Sequence, residues 1–501
     1  MNAHADLPAM GVGQGTSQPM IRPSRRSVLK GAGAGAAALL LPLSVPPERA
    51  VAAGTAAAAA AAAKSDVQYN IGAFVPPPLV FNSIPFGLGG PSHTQFLTAR
   101  LSRTPTARDR RVFAGALAQI ERSYTWSPAG VFVFVSYGLP YFRRLPRQLV
   151  NAHMPRLRSN TKRWALEEAV PTSTDITAAG DPLRRPRFGG RAFAVRIEDN
   201  DVLLSLRSDL VRNLNDVERW LKGSNSLNGR RVASPKFAGL LHWTSSRHMF
   251  VQVGLPRRLA DAQGLPFAAQ IHPQSPMWFG LADQNVNGAG PADITCFQGN
   301  GSARLAHIPD AKHYFSNGTI QVLNHNISDL QAWYGDPANS AFSTQLDLMF
   351  RPTHPFGNQG GTPFWPNEFF GERDAALGAS GVGTRSGVHR LGHLTCLQRS
   401  SRAADGTPIH ARMDGPGFDD MDTAGHHSPG RNVAKLQFSA FVPTADSFRQ
   451  MRKHQASLDL VKQHHVTADN NGVERFITAT RRQNFLMPPR RHRIFPLHEL
   501  T

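Results

Sequence analysis

Cysteine is nearly absent: Cys296 and Cys396 are the only two in 501 residues. Two thiols permit one disulfide or none, and they exclude a four-thiolate zinc or iron–sulfur centre. Whether they pair stays open, since a disulfide also needs an oxidising compartment. Several catalytic signatures are missing as well. There is no G-x-S-x-G elbow, no H-E-x-x-H helix, no G-x-x-x-x-G-K phosphate loop and no C-x-x-C-H haem attachment. Their absence removes the matching hydrolase, zinc-protease, nucleotide-binding and c-type cytochrome readings. No segment of the mature chain has about 18 uninterrupted apolar residues, so no membrane span is expected in it. Acids are scarce too: 35 Asp and Glu stand against 55 Lys and Arg, a formal net charge of +20. The excess is mostly Arg, spread without basic blocks or nucleic-acid motifs, so no nucleic-acid partner is expected.

What is present describes a globular protein, 41% hydrophobic and 18% charged. A chain of this length can bury more than one core. Near its start, "SRRSVLKGAGAGAAALLLPL" sets Arg25 and Arg26 before a Gly/Ala-rich apolar run too short to cross a bilayer. "ERAVAAG" then offers a small-x-small cleavage site at Ala50 and Ala52. The setting S-R-R-x-V-L-K is that of a twin-arginine export signal, a route for folded proteins. Residues 1–53 are therefore read as signal peptide and 54–65 as an Ala-rich linker. Cleavage near Ala52 removes five cations and two acids and leaves a net charge of roughly +17. The expected destination is the periplasm, the cell envelope or the medium.

Beyond the linker, strand-like runs alternate with longer amphipathic ones. "GVFVFVSYGLPYF" (130–142) is a dense Val/Phe run closed by Gly and Pro. Residues 191–223 read as strand, turn, strand, then a helix with Leu210, Leu214, Val217 and Trp220 on one face. That order is half of a ferredoxin-like unit, and "HMFVQVGLP" (248–256) could close it. The second half repeats the grammar: strands at 318–327 and 434–444, helical patterns from 329 and over 445–464. The fold expected is α+β, two ferredoxin-like units over 66–255 and 256–501 of the dimeric α+β barrel type, with antiparallel sheets and helices packed on them. A loop-rich block, roughly 340–433, is heavy in Gly, Pro, Asn and His. Irregular segments of that length usually serve or cover a site.

Two stretches attract attention. In "PMWFGLADQNVNGAGPAD" (276–293), Gly280 and Asp283 sit in a Gly/Asn-rich turn; an Asp there most often bonds its own backbone. In "GTPIHARMDGPGFDD" (406–420), His410 precedes Arg412, and most histidines in a chain with 20 of them are not ligands. The pairs His426–His427 and His464–His465 point their rings in different directions and make poor preformed metal sites.

Taken together, the two ferredoxin-like units, the twin-arginine signal, the G-x-x-D stretch, the late His-x-Arg and the closing "NGVERFITATRRQNFLMPPRRHRIFPL" (471–497) resemble the dye-decolorising (DyP-type) haem peroxidases over most of 125–500. The resemblance implies haem b in the C-terminal unit, hydrogen peroxide as oxidant, a small electron donor, and a homo-oligomer as one possible assembly. "PIHARM" is similar to the family's proximal motif, which implies His410 as the iron ligand, with Gly280 and Arg412 at the cofactor. Asp283 matches the distal acid that moves a proton between the peroxide oxygens, although Gln284 stands where the family has Gly. "GERDA" (371–375) is a competing match. The family's distal arginine segment is replaced by "MDGPGF" (413–418), so Arg431, or Arg412 itself, is the candidate substitute. "ARMDGPGF" also aligns with that distal segment, in which case His393 becomes the axial candidate. The alternatives are a haem-binding or iron-handling relative without peroxidase activity and a cofactor-free binding or structural barrel.

Overall fold

Runs of Val, Leu and Phe become strands here, and the chain orders them twice in the same way. A computed structural model describes residues 64–74, 79–81, 84–86, 90–157, 160–169, 195–281, 295–298, 313–349, 382–385, 387–401, 409–422, 432–467 and 470–501. The first half comprises β1 (His93–Leu101), α1 (Ala107–Ser123), β2 (Phe132–Gly138), β3 (Val202–Ser208), α2 (Val211–Leu221) and β4 (Leu241–Phe250). The second comprises β5 (Thr319–Ser328), α3 (Phe342–Met349), α4 (His393–Ser401), β6 (Ala411–Arg412), β7 (Gly415–Asp419), β8 (Val433–Val442), α5 (Ala445–Ala456) and β9 (Ile477–Met487). In the first half the strand order is β2-β3-β1-β4; in the second, β6 and β7 share one edge of β8, followed by β5 and β9. Both are the antiparallel second-third-first-fourth order of a ferredoxin-like unit, and the fold is α+β.

Local chemistry accounts for the elements. Thr106 starts α1 with a capping box, its hydroxyl accepting from the Asp109 amide at 3.3 Å while Asp109 accepts from the Thr106 amide at 2.7 Å. The helix buries Phe113, Ala116, Leu117 and Ile120, one face at helical spacing. Along β5, Ile320 and Val322 pack outward against Phe448 and Met451 of α5, while Leu323 points into a second core with Phe96, Phe441 and Phe485.

That second core is the inside of a barrel. β9 pairs with β2 through Leu486 and Tyr137 and through Phe485 and Gly138, joining the halves into one sheet. At the two free edges β7 comes against β4. A Cβ on Gly415 would stand 2.8 Å from the Phe250 carbonyl oxygen, and one on Gly417 2.9 Å from that of His248. Only glycine allows so close an approach. "MDGPGF" thus forms the seam of the barrel. Residues 64–74 plug one end: Val67, Tyr69, Ile71 and Phe74 enter the inner core, and Gln68 donates to the Val135 and Pro488 carbonyls at 3.0 and 2.7 Å.

Some expectations shift. The closing strand of the first half runs over 241–250, not 248–256, and β1 and α1 were not anticipated at all. The block at 340–433 contains α3, a hairpin pairing Val382–Arg385 with Val388–Leu391, α4, β6 and β7 among its described residues. Cys296 lies in the inner barrel core and Cys396 in a separate cluster with Leu391 and Leu460, so they form no disulfide. Burial pushes the Cys396 thiol up to about 12. No helix among the described residues is long and apolar enough to cross a membrane.

Candidate functional site

β6 and β7 organise the second half's candidate residues. The Ile409 amide donates to the Ser401 carbonyl at 2.9 Å, tying the approach to β6 to the end of α4. His410 follows, with 1% of its surface exposed. Ala411 then pairs with Phe441, and Arg412 with Ala440. Arg412 remains partly open to solvent, its Nε 3.8 Å from Asp414 Oδ1. Two residues of extended chain span about 7 Å at most. Both side chains therefore start within that distance of each other on the sheet edge.

Gly280 is far away in sequence, yet its segment is fastened to the same strand pair. Its φ is +75°, and a Cβ there would sit 2.8 Å from the Tyr334 hydroxyl, so glycine is required. Trp278 donates its indole N–H to the Gly417 carbonyl at 3.0 Å, and its ring lies 5.5 Å from that of Phe418. Trp333 and Tyr334 in turn donate to the Phe279 and Trp278 carbonyls at 3.1 and 2.9 Å. Burial raises the Tyr334 phenol far above its ordinary range, so it acts here as a neutral donor. The structure therefore brings 276–281 and 415–418 together. Asp283, Arg431, Gln284 and the competing 371–375 stretch lie outside the described residues. His393 begins α4, half-buried, with Gly472 against its backbone.

A second cluster was not read from the sequence. The inward positions of β5, β8 and β9 place His325, Lys435, Gln437 and Arg481 at the barrel end opposite the plug. His325 is fully buried: Nδ1 shares a 2.8 Å hydrogen bond with the Thr480 hydroxyl and lies 3.5 Å from Asp422, while Nε2 lies 3.3 Å from both Asp419 oxygens. Arg481 donates twice to Asp422, at 2.6 and 2.7 Å, and stands 3.6 Å from Glu198, which also pairs with the fully buried Arg247. Lys435 donates to the Met421 carbonyl and lies 3.6 Å from Asp419. Burial alone would raise the Asp422 carboxyl, but hydrogen bonds from His325 and Arg481 and the Arg481 charge hold it far below the usual range. Asp419 is likewise held down against burial by His325 and Lys435. Burial lowers Lys435 despite its acidic neighbours. The only sequence signal was polar residues at inward positions of otherwise apolar strands, as in "QVLNHNI" and "AKLQFSAF".

Among the described residues no group of three or more His, Cys, Asp or Glu could hold a metal ion. A haem asks for less: the porphyrin supplies four nitrogens and the protein one imidazole. The donor set fits in that respect, since His410 is a buried imidazole at the edge of a sheet.

The model of a family of unknown function, DUF7405, matches residues 91–181 and 179–489, and a twin-arginine translocation signal sequence matches 22–42. The protein is thus exported by the twin-arginine route. No curated protein matches the chain. Among solved structures it is similar to the encapsulated DyP-type peroxidase from Mycobacterium smegmatis, at 12% identity and a TM-score of 0.44, over 83% of this chain and 96% of that one. It is similar to a dye-decolorizing protein from V. cholerae and to a dye-decolorizing peroxidase from Bacteroides thetaiotaomicron, each at 12% identity and a TM-score of 0.42, over 83% of this chain and 96% of theirs. Likeness at this level fixes no chemistry.

Proposed function

The chain belongs to the DUF7405 family, and for it we propose an exported haem-b-dependent peroxidase that uses hydrogen peroxide to oxidise small donors, weakly, in the periplasm, the cell envelope or the medium. The observation that supports this reading is the Trp278 to Gly417 hydrogen bond, which fastens the segment leading to Asp283 onto the strand that follows His410 and Arg412. Haem, when bound, would supply the redox chemistry with peroxide. His410 would be its single protein ligand, with α4 and β8 fixing the chain on either side of it. Arg412 would pair with a carboxylate at the cofactor's edge. Gly280 lets its chain turn left-handed beneath Tyr334. Asp283 would take a proton from one peroxide oxygen and return it to the other. Arg431 would offset the charge that develops on the departing oxygen.

One observation favours a second reading, haem binding without turnover. The segment "MDGPGF", which stands where the resemblance expects an arginine pair, is committed through Gly415 and Gly417 to closing the barrel against Phe250 and His248. A distal cation must then come from elsewhere, and without one the preorganised stabilisation of developing charge is lost.

Haemin titration of the purified mature protein separates the readings. A saturable Soret band that shifts with peroxide supports the peroxidase, a band inert to peroxide supports binding alone, and no specific band removes both. His410→Ala is expected to lose the wild-type Soret position; retention of position and stoichiometry would overturn the ligand assignment. Asp283→Ala is expected to keep haem while activity falls by about 100-fold or more.

A further inference from the structure

β1 and β4 carry two histidines that neither the ionic end nor the proposed peroxidase uses. In register His93 faces Phe250 and Gln95 faces His248, and this row continues with Leu97 on the helix side of the sheet, opposite the inward Phe96. Nδ1 of His93 lies 3.1 Å from Nε2 of His248. The ring centres are 5.2 Å apart with 21° between the planes, close to the longest separation that such a contact between ring atoms allows. The rings therefore meet edge to edge, nitrogen to nitrogen. His93 is 7% exposed and His248 is half-buried, which leaves the pair open on the β4 side. Burial, reinforced at His248 by the neighbouring ring, lowers both to about 4, so both imidazoles are neutral at neutral pH. Neutral imidazole is the form that binds metals. His464 and His465, adjacent along the chain, lack this arrangement; His93 and His248 come from neighbouring strands and face each other.

We propose that His93 and His248 chelate a late first-row divalent cation, Cu2+ or Zn2+, in an open site whose other positions are filled by water. With metal–nitrogen bonds of about 2.0–2.1 Å, two nitrogens 3.1 Å apart subtend roughly 95–100° at the ion, between the square-planar and tetrahedral angles. A small turn of the two rings aims both lone pairs at that point. The ion takes the place of the proton the rings now share: the donor ring carries its N–H on the outer nitrogen instead, and both rings stay neutral. Among the described residues neither outer nitrogen, His93 Nε2 or His248 Nδ1, has a hydrogen-bond partner that would hold it as an acceptor. No third His, Cys, Asp or Glu joins the pair among the described residues, so the ion exchanges and is not a closed structural centre. Bound, it ties β1 to β4, whose His248 carbonyl meets Gly417 at the seam, and so stabilises the closed barrel.

The test uses the mature protein without haemin, so its outcome does not depend on the peroxidase reading. Cu2+, Zn2+ and Mn2+ are titrated by calorimetry, and one equivalent of Cu2+ is followed by electron paramagnetic resonance. Cu2+ is expected to bind saturably with coupling to two imidazole nitrogens, and Mn2+ at least about 100-fold more weakly. Zn2+ is expected to raise the Tm with concentration. His93→Gln and His248→Gln keep an amide that hydrogen-bonds to the remaining histidine, so a merely structural pair would tolerate them. Each variant is expected to keep the wild-type circular dichroism and ligand-free Tm while losing at least about tenfold in affinity for Cu2+ and Zn2+. Unchanged affinity in a folded variant, coupling to fewer than two imidazoles, or no saturable binding of Cu2+ and Zn2+ would each overturn the proposal. Either variant suffices where the other does not fold, and the wild-type spectrum decides where neither does.

Discussion

At one end of the barrel Tyr69 stacks on Phe441 with ring centres 4.1 Å apart, and Phe132, Phe485 and Met487 fill the space around them. At the other, Arg247, Lys435 and Arg481 meet Glu198, Asp419 and Asp422 around His325. The same strands build both ends; β8 supplies Phe441 to one and Lys435 to the other. The apolar end stabilises in proportion to the area it hides from water, without regard to direction. The ionic end contributes little net energy, because desolvation offsets most of the attraction. It does discriminate register: slipping β8 by one residue would turn Lys435 and Gln437 to the helix side and take both from Asp419.

That contrast can be broken from either side. Phe441→Ala is expected to cost about 3–5 kcal/mol in urea unfolding, as a large cavity opens in a closed interior. Glu198→Ala, which leaves Arg247 buried beside a lost partner, is expected to cost about 3 kcal/mol, and the double replacement Glu198→Leu with Arg247→Met to recover most of it. A double variant no better than the single one would show that the ionic end works as more than paired charges. At the seam, Gly417→Ala is expected to cost about 1–3 kcal/mol, since the new methyl meets the His248 carbonyl. The smallest effect is on pH. Asp419 and Asp422 have carboxyls held below the ordinary value of about 3.9, so their contribution is complete above about pH 4 and is lost as pH falls through the depressed folded values. Asp422→Asn should flatten the acid limb of stability against pH, while Phe441→Ala should lower the curve without changing its shape.

Legibility in the sequence followed the same division. Strands with dense Val and Phe, such as 132–138, and the helices at 211–221 and 445–456 declared themselves through periodicity. β4 did not, because "LHWTSSRHMF" bonds much of its polar side-chain complement to neighbouring strands: Thr244 and Ser245 share hydrogen bonds with Thr98, and Ser246 with Gln95. The ionic end was invisible for a like reason. Its seven side chains come from six separate stretches between Glu198 and Arg481, and each alone reads as an ordinary polar residue. Of the candidate site, the sequence nominated residues without relating them. Trp278 had no reason to be paired with Gly417 until both were placed.

By itself the sequence determined the export signal, the α+β class and the twofold recurrence of strand and helix, since these rest on composition and on periods of 2 and 3.6 that neighbours along the chain set. Tertiary structure alone decided that "MDGPGF" is the seam of the barrel and that charges far apart in sequence neutralise one another inside it. Close approach of backbones and pairing of buried charges depend on distances across space, which spacing along the chain does not encode.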